Sequence, residues 1–278
     1  APSLLWGLGL PVSGAGGGSN ALISHRGVRG IVLLNRARKV RFERDSVPPE
    51  VWAESGANFG VIARQAAKHG LSGLEWAAGI PGTLGGAVFG NAGAHGGDVA
   101  GNLIVATILH RKAAEPPAEE IWPVERFEFT YRSSLMKRAA HRYAPENVVL
   151  SARLRLENSE PQVVQARMDE FKAFRRRTQP PGASMGSMFK NPPGDYAGRL
   201  IEAAGLKGAR IGEAEISSLH ANFFINHGQA TATDIYRLIQ LARTTVAEKF
   251  GIEMDLEIEL MGDWDLEPAS PEAGSEDR

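Results

Sequence analysis

The chain has 278 residues, 43% apolar and 23% charged, with a formal net charge of −1 and no cysteine. That length buries a sizeable core, as one large domain or two modest ones, and near-neutrality argues against a nucleic-acid or anionic-membrane partner. Without a thiol there is no disulfide, thiolate metal site or cysteine nucleophile, which fits a reducing compartment, and no apolar run approaches a membrane span.

Residues 4–9 read as the end of a helix, and residues 10–12 as a short apolar stretch. The first residues lack both the basic start of a signal peptide and an initiator Met, so the chain is read as starting partway through a gene product. Residues 14–20 follow as Gly-Ala-Gly-Gly-Gly-Ser-Asn. Consecutive glycines allow φ > 0 and leave N–H groups free, which suits a pyrophosphate, although glycine triplets also occur in plain loops. The spacing matches neither the Walker loop nor the G-x-G-x-x-G fingerprint, which excludes a Rossmann domain.

Short strands are predicted over residues 31–34, 40–42 and 51–53. A helix follows, capped near Asn58 and ended by Gly70, with Val61, Ile62, Ala66 and Ala67 as its apolar positions. Residues 79–97 carry eight glycines. Neither helix nor strand is expected at that density. The interspersed Ile80, Leu84, Ala87, Val88 and Phe89 point to a packed loop offering bare N–H groups to a flat or phosphorylated ligand, where a mobile linker would carry Ser or Thr.

Strands resume over 105–109, 121–124 and 148–156, with an exposed connection at 113–119. In the last strand Val148, Leu150, Ala152, Leu154 and Leu156 alternate with Val149, Ser151, Arg153 and Arg155, so one face is expected buried. A helix over 161–177 places Val164, Met168, Phe171 and Phe174 on one stripe. Its basic end, Arg175-Arg176-Arg177, complements the helix dipole. Residues 178–182, Thr-Gln-Pro-Pro-Gly, mark a break. Beyond it are a helix over 196–204, a strand over 223–225, a helix capped by Thr231 with Asp234 and stopped by Gly251, and a strand over 254–261. Residues 263–278 read as a disordered acidic tail.

Three places suggest chemistry. In Tyr131-Arg132-Ser133-Ser134, Arg132 is either a bidentate carboxylate clamp or a surface guanidinium. In the 186–193 box, Ser187 is not in a nucleophile elbow, but it suits proton donation tuned by Lys190 or water; the alternative is a Ser and Asn satisfying their own turn. On the last strand Asp255, Glu257 and Glu259 share one face, which either meets solvent or lines a cleft where mutual repulsion raises a pKa. Among the histidines, His110, His141, His220 and His227 lack metal-ligand spacing, and no metal site is expected. His220, beside Asn222, is read as structural or substrate-adjacent.

In order, Gly-Gly-Gly-Ser-Asn, Gly-Ile-Pro-Gly-x-x-Gly-Gly-Ala with Asn-Ala-Gly, Tyr-Arg-x-Ser, Gly-Ser-x-Phe-Lys-Asn-Pro and a Glu-bearing last strand resemble the UDP-N-acetylenolpyruvoylglucosamine reductase (MurB) family, over about residues 14–262. The resemblance implies an α+β chain with an FAD-binding domain of the PCMH/vanillyl-alcohol-oxidase type over 1–157 and an α+β substrate domain over 158–262. It implies FAD held by Gly16, Gly17, Gly18, Ser19 and Asn20 at the pyrophosphate, and by Gly79, Ile80, Pro81, Gly82, Gly85, Gly86, Ala87, Asn91 and Gly93. Arg132, Ser187 and Glu257 match the catalytic residues, with Tyr131, Lys190 and Asn191 at the substrate. The implied reaction is NADPH-driven reduction of a UDP-sugar enolpyruvyl ether for peptidoglycan synthesis, by a cytoplasmic monomer.

Two departures stand out. The chain starts inside what the family pattern marks as its first helix, so the FAD domain is expected to lack its front, and Glu259 stands where the family is commonly basic. The direct run from Arg132 through residues 148–156 to Ser187 resembles the shorter subtype. The alternatives are another oxidase or dehydrogenase with the same flavin cradle, which should lack the Ser-x-Phe-Lys-Asn-Pro box, and a non-catalytic flavin- or nucleotide-binding protein.

Overall fold

The computed structural model describes residues 10–111, 116–140 and 147–264. The expected N-terminal helix, His141, part of the 113–119 connection and the tail beyond 264 lie outside them. Packing divides the chain into two units: residues 10–19 with Arg29–Thr178, and Asn20–Val28 with residues 179–264. The division thus falls at the Thr-Gln-Pro-Pro-Gly break. The helix Pro161–Thr178, assigned to the second domain by a boundary at 157/158, packs in the first unit, because Val164 and Met168 join that core. Its stripe is narrower than expected: Phe171 is half-buried and Phe174 exposed.

The first unit is built on a five-stranded antiparallel sheet, in the order Ala118–Pro123, Leu103–His110, Asn147–Arg155, Glu50–Glu54, Val40–Glu43. Strict alternation fails along Asn147–Arg155. The pairing with Leu103–His110 shifts between Val149 and Ser151, leaving Leu150 as the extra residue of a bulge. Ala152 and Leu154 therefore bury in the main core as expected, but so does Val149, while Val148 and Leu150 pack with Val12 and Leu109 in a separate small cluster. The helix Phe59–Lys68 starts at Asn58, whose side chain accepts from Val61 N. It buries Ile62, Ala66 and Ala67 but leaves Val61 exposed.

The glycine-rich stretch corrects an expectation, since Leu84–Gly90 within it is helical. Long-range hydrogen bonds offset the poor propensity: Leu84 N donates to Ala57 O (2.9 Å) and Gly85 N to Ser55 O (2.8 Å). The Thr83 side chain caps the start, and Asn91 ends the helix in the left-handed region at φ 48°. Leu84, Ala87 and Val88 are buried.

In the second unit, strands Arg210–Ile211, Ala214–Ile216 and Phe224–Asn226 form an antiparallel sheet. The helix Ala232–Phe250 begins in a full capping box: Thr231 Oγ1 accepts from Asp234 N, and Asp234 Oδ2 from Thr231 N. Its apolar stripe, Ile235, Leu238, Ile239, Ala242 and Val246, packs with Leu200, Ile201 and Phe189. The last strand is shorter than expected. Only Glu259–Met261 is regular, paired in parallel with Ala21–Ile23, while Leu256 is held by a single bridge to Phe189.

Candidate active site

In the first unit the two expected cofactor loops touch each other. Ser19 Oγ donates to Pro81 O (3.2 Å). A Cβ on Gly16 would fall inside 3.0 Å of Thr83 Oγ1, one on Gly17 would sit 3.4 Å from Gly82 Cα, and one on Gly82 would sit 2.7 Å from Ser19 Oγ. Gly82 itself has φ +113°. Gly16 and Gly82 are required first by the approach of one turn to the other. Gly16, Gly17 and Gly18 are exposed, with Gly18 at φ +70°, so their backbone is uncovered by side chains.

The later part of the glycine stretch is more engaged than bare N–H groups would be. The N–H groups of Leu84, Gly85, Gly86 and Ala87 all donate within the protein, to Ala57 O, Ser55 O, Thr83 Oγ1 and Thr83 O. Ile80 N donates to Ala77 O, and a Cβ on Gly79 would lie 2.8 Å from Arg175 Nη1. Arg175, read from sequence only as part of a basic helix end, is thus half-buried beside this loop, and burial lowers its pKa. Only coordinates could reveal that placement.

Arg132 sits on a tight turn closed by Thr130 N to Ser133 O (3.0 Å) and Ser133 N to Thr130 O (3.1 Å), with φ 54° at Arg132. Its Nη2 donates to Gly93 O (2.6 Å), and its guanidinium lies 5.5 Å from the centre of the exposed Tyr131 ring. A rigidly held, half-buried guanidinium is suited to a carboxylate.

The second unit brings Ser187 and Glu257 onto neighbouring segments. Ser187 bridges Phe223, Met188 N donates to Asn222 O (2.8 Å), and Glu257 N donates to Met188 O (2.9 Å). Lys190 N donates to Asp255 O, and Asn191 Oδ1 accepts from Ala197 N at the start of the helix Ala197–Ala203. Glu257 and Glu259 are half-buried while Asp255 is exposed, so the acidic face is not uniformly solvated. Asn20, expected at the pyrophosphate, donates from Nδ2 to Glu257 O (3.1 Å) and accepts Glu259 N on its carbonyl (2.8 Å).

Ser187 and Asn191 line a cleft of about 390 Å³ with Tyr196, Arg199, Leu219 and His220. Arg199 is ion-paired through two nitrogens to Asp195, whose pKa its hydrogen bond lowers to about 2. Burial first, and then the Lys207 charge, lowers the His220 pKa. Its Nδ1 accepts from Asn222 N (3.3 Å), leaving the proton of the neutral ring on Nε2. Buried Asn222 also ties the Ser187 segment in place, exchanging two side-chain bonds with the Phe189 backbone (2.8 and 2.9 Å). A polar residue inside the apolar run 221–224 is the sequence signal that marks Asn222. Tyr196 and Arg199 carry no such signal.

Residues 178–261 match the model of the UDP-N-acetylenolpyruvoylglucosamine reductase C-terminal domain, and residues 5–110 that of an FAD-binding domain. The UDP-N-acetylenolpyruvoylglucosamine reductase of Chloroflexus aggregans is 46% identical over 252 residues, covering 91% of this chain and 83% of that protein. The chain belongs to the UDP-N-acetylenolpyruvoylglucosamine reductase family. The reductase of Bacillus velezensis is 40% identical over 91% of this chain and 80% of its own length. The crystal structure of the Thermus caldophilus reductase (MurB) superposes with TM-score 0.76 at 34% identity, covering 93% of this chain and 88% of that one.

The residues present fit the flavin that family membership implies. The exposed, side-chain-free Gly16–Gly18 turn abuts Gly82, a donor set suited to a pyrophosphate. Among the described residues no group of His, Asp and Glu is arranged to hold a metal, and no helix is long and apolar enough to cross a membrane.

Proposed function

We propose that this chain reduces the enolpyruvyl double bond of UDP-N-acetylglucosamine enolpyruvate to give UDP-N-acetylmuramate for peptidoglycan synthesis. FAD is the bound redox group and NADPH the reductant. The observation that carries the reading is membership of the reductase family along nine-tenths of the chain, with the Arg132 turn and the Ser187 box intact. Bound FAD supplies the hydride chemistry.

The protein's own residues do the rest. Gly16, Gly17, Gly18 and Ser19 hold the pyrophosphate, and Gly82, Gly86 and Gly93 keep the facing loop free of bulk. The Arg132 fork takes the substrate carboxylate and stabilises the negative charge that develops on it during reduction. Ser187 gives its hydroxyl proton to the carbon next to the one that receives hydride, so that H⁻ and H⁺ together saturate the double bond. Glu257 assists there, and Tyr131, Lys190 and Asn191 contact the substrate. The enzyme works as a cytoplasmic monomer and serves cell shape and division through the wall precursor it makes.

The test is anaerobic stopped flow on FAD-reconstituted protein. A flavin band near ~450 nm should bleach with NADPH and return on mixing with the enolpyruvyl UDP-sugar, with stoichiometric UDP-N-acetylmuramate. Protein that takes up no FAD, or reduced flavin that this substrate leaves reduced, refutes the proposal.

A further inference from the structure

The side chain of Asn91 is committed to the protein itself. Its residue is 3% exposed and held at φ 48°, in a left-handed conformation that Asn tolerates better than other side chains. From there its amide joins three segments. Nδ2 donates to Thr130 O (3.1 Å) and to Asp98 Oδ2 (3.3 Å), and Oδ1 accepts from Ala100 N (3.0 Å). Thr130 O is the same carbonyl that accepts Ser133 N to close the turn carrying Arg132. On the far side of that turn, buried Ser134 donates to Phe89 O (2.6 Å), two residues before Asn91. Arg132 in turn donates to Gly93 O, two residues after it (2.6 Å). The end of the glycine-rich helix therefore grips the Arg132 turn at three points, with Asn91 at the centre.

We infer that Asn91 is a positioning residue for Arg132 and not a contact to the cofactor. Its donor hydrogens are spent on Thr130 and Asp98, and its oxygen on Ala100. What it fixes is the backbone that aims the guanidinium. The inference rests on the reading of Arg132 as the carboxylate clamp, and one arm of its test is independent of that reading.

Asn91→Gly preserves the left-handed backbone and deletes the amide. In the FAD-loaded enzyme it should retain FAD and slow reoxidation by the enolpyruvyl UDP-sugar by about ten- to a hundredfold, the scale of an ångström-sized misplacement. In an Arg132→Ala background the same change should have no further effect, within about twofold. Independently, trypsin should cut the full-length protein after Arg132 several-fold faster in Asn91→Gly, read by mass spectrometry, because the turn has lost its anchor. Asn91→Asp keeps the shape and the Ala100 bond but loses both N–H donations, and it decides by the same readouts where Asn91→Gly does not fold. Loss of FAD, full additivity with Arg132→Ala, or unchanged cleavage at Arg132 overturns the inference. A wild-type enzyme that this substrate does not reoxidise defeats the functional proposal instead, and the cleavage arm still decides for Asn91.

Discussion

Gly16→Ala gives the sharpest measure of how the cofactor turns are built. The new methyl group would sit inside 3.0 Å of Thr83 Oγ1, with Thr83 Cγ2 and Cβ at 3.2 and 3.3 Å. Thr83 has little freedom to retreat, because its Oγ1 accepts from Gly86 N and caps the helix Leu84–Gly90. If Thr83 rotates away, the cap is lost, at about 1 kcal/mol. If it stays, the overpacked contact costs about 1–3 kcal/mol. Either way the cost is about 1–3 kcal/mol, or about fivefold to a hundred-and-fiftyfold in FAD affinity where the distortion falls on the turns proposed to hold the pyrophosphate. The assay is titration of apoprotein with FAD, followed by quenching of flavin fluorescence, with urea unfolding alongside. Gly14→Ala is the control, since a Cβ there meets nothing within 4 Å; it should bind FAD as the wild type does. Thr83→Ala removes the obstructing oxygen, so Gly16→Ala should add little in that background. Wild-type affinity in Gly16→Ala, or an equal loss with and without Thr83, would refute the steric reasoning.

Three further outcomes test the catalytic and electrostatic assignments. Ser187→Ala should leave flavin reduction by NADPH intact and slow substrate-driven reoxidation by ~10²–10⁴, the usual scale of general acid catalysis; equal loss in both half-reactions removes Ser187 as proton donor. Arg132→Lys should lower kcat/KM by about ten- to a hundredfold at unchanged FAD content, because an ammonium cannot reproduce the fork. Near-wild-type turnover removes the clamp. His220 has a folded-state pKa below its ordinary value of 6.5 through burial and Lys207. The unfolded chain therefore takes up that proton first as pH falls. The associated stability is fully present above about pH 6.5 and is lost as pH drops through the lower folded value. Urea midpoints at pH 7.5 and 5.5 should differ less in His220→Gln than in the wild type, and identical differences contradict the burial argument.

The residues that local chemistry constrains were the ones legible in the sequence. The capping box at Thr231 and Asp234, the helix end at Thr178 and the helix stop at Gly251 each follow from a few neighbouring side chains, and each lies where the pattern puts it. The bulge at Leu150 was not legible, because it exists only in the pairing of that strand with Leu103–His110. Asn222 shows the same limit within the candidate site. Its polarity is visible in the sequence, but its partner Phe189 lies 33 residues away, and nothing in either stretch announces the pairing.

The glycine-rich stretch shows how glycine density misleads about local structure. Its density suggested backbone opened for a ligand, yet several of its glycines answer to the protein itself. A side chain on Gly85 would strike Ser55, one on Gly93 would strike Asp98 and the Gly97 carbonyl, and one on Gly97 would strike the Trp76 ring. The close approach at Gly85 lets the Ser55 and Ala57 carbonyls accept the first N–H groups of Leu84–Gly90, which is what lets so poor a helix former be helical. The resulting short helix ends at Asn91, whose conformation depends on that ending and whose amide reaches the Arg132 turn. Glycine content in the stretch therefore also serves the protein's own packing. It compacts the backbone so that a single buried amide can hold the turn that carries the guanidinium.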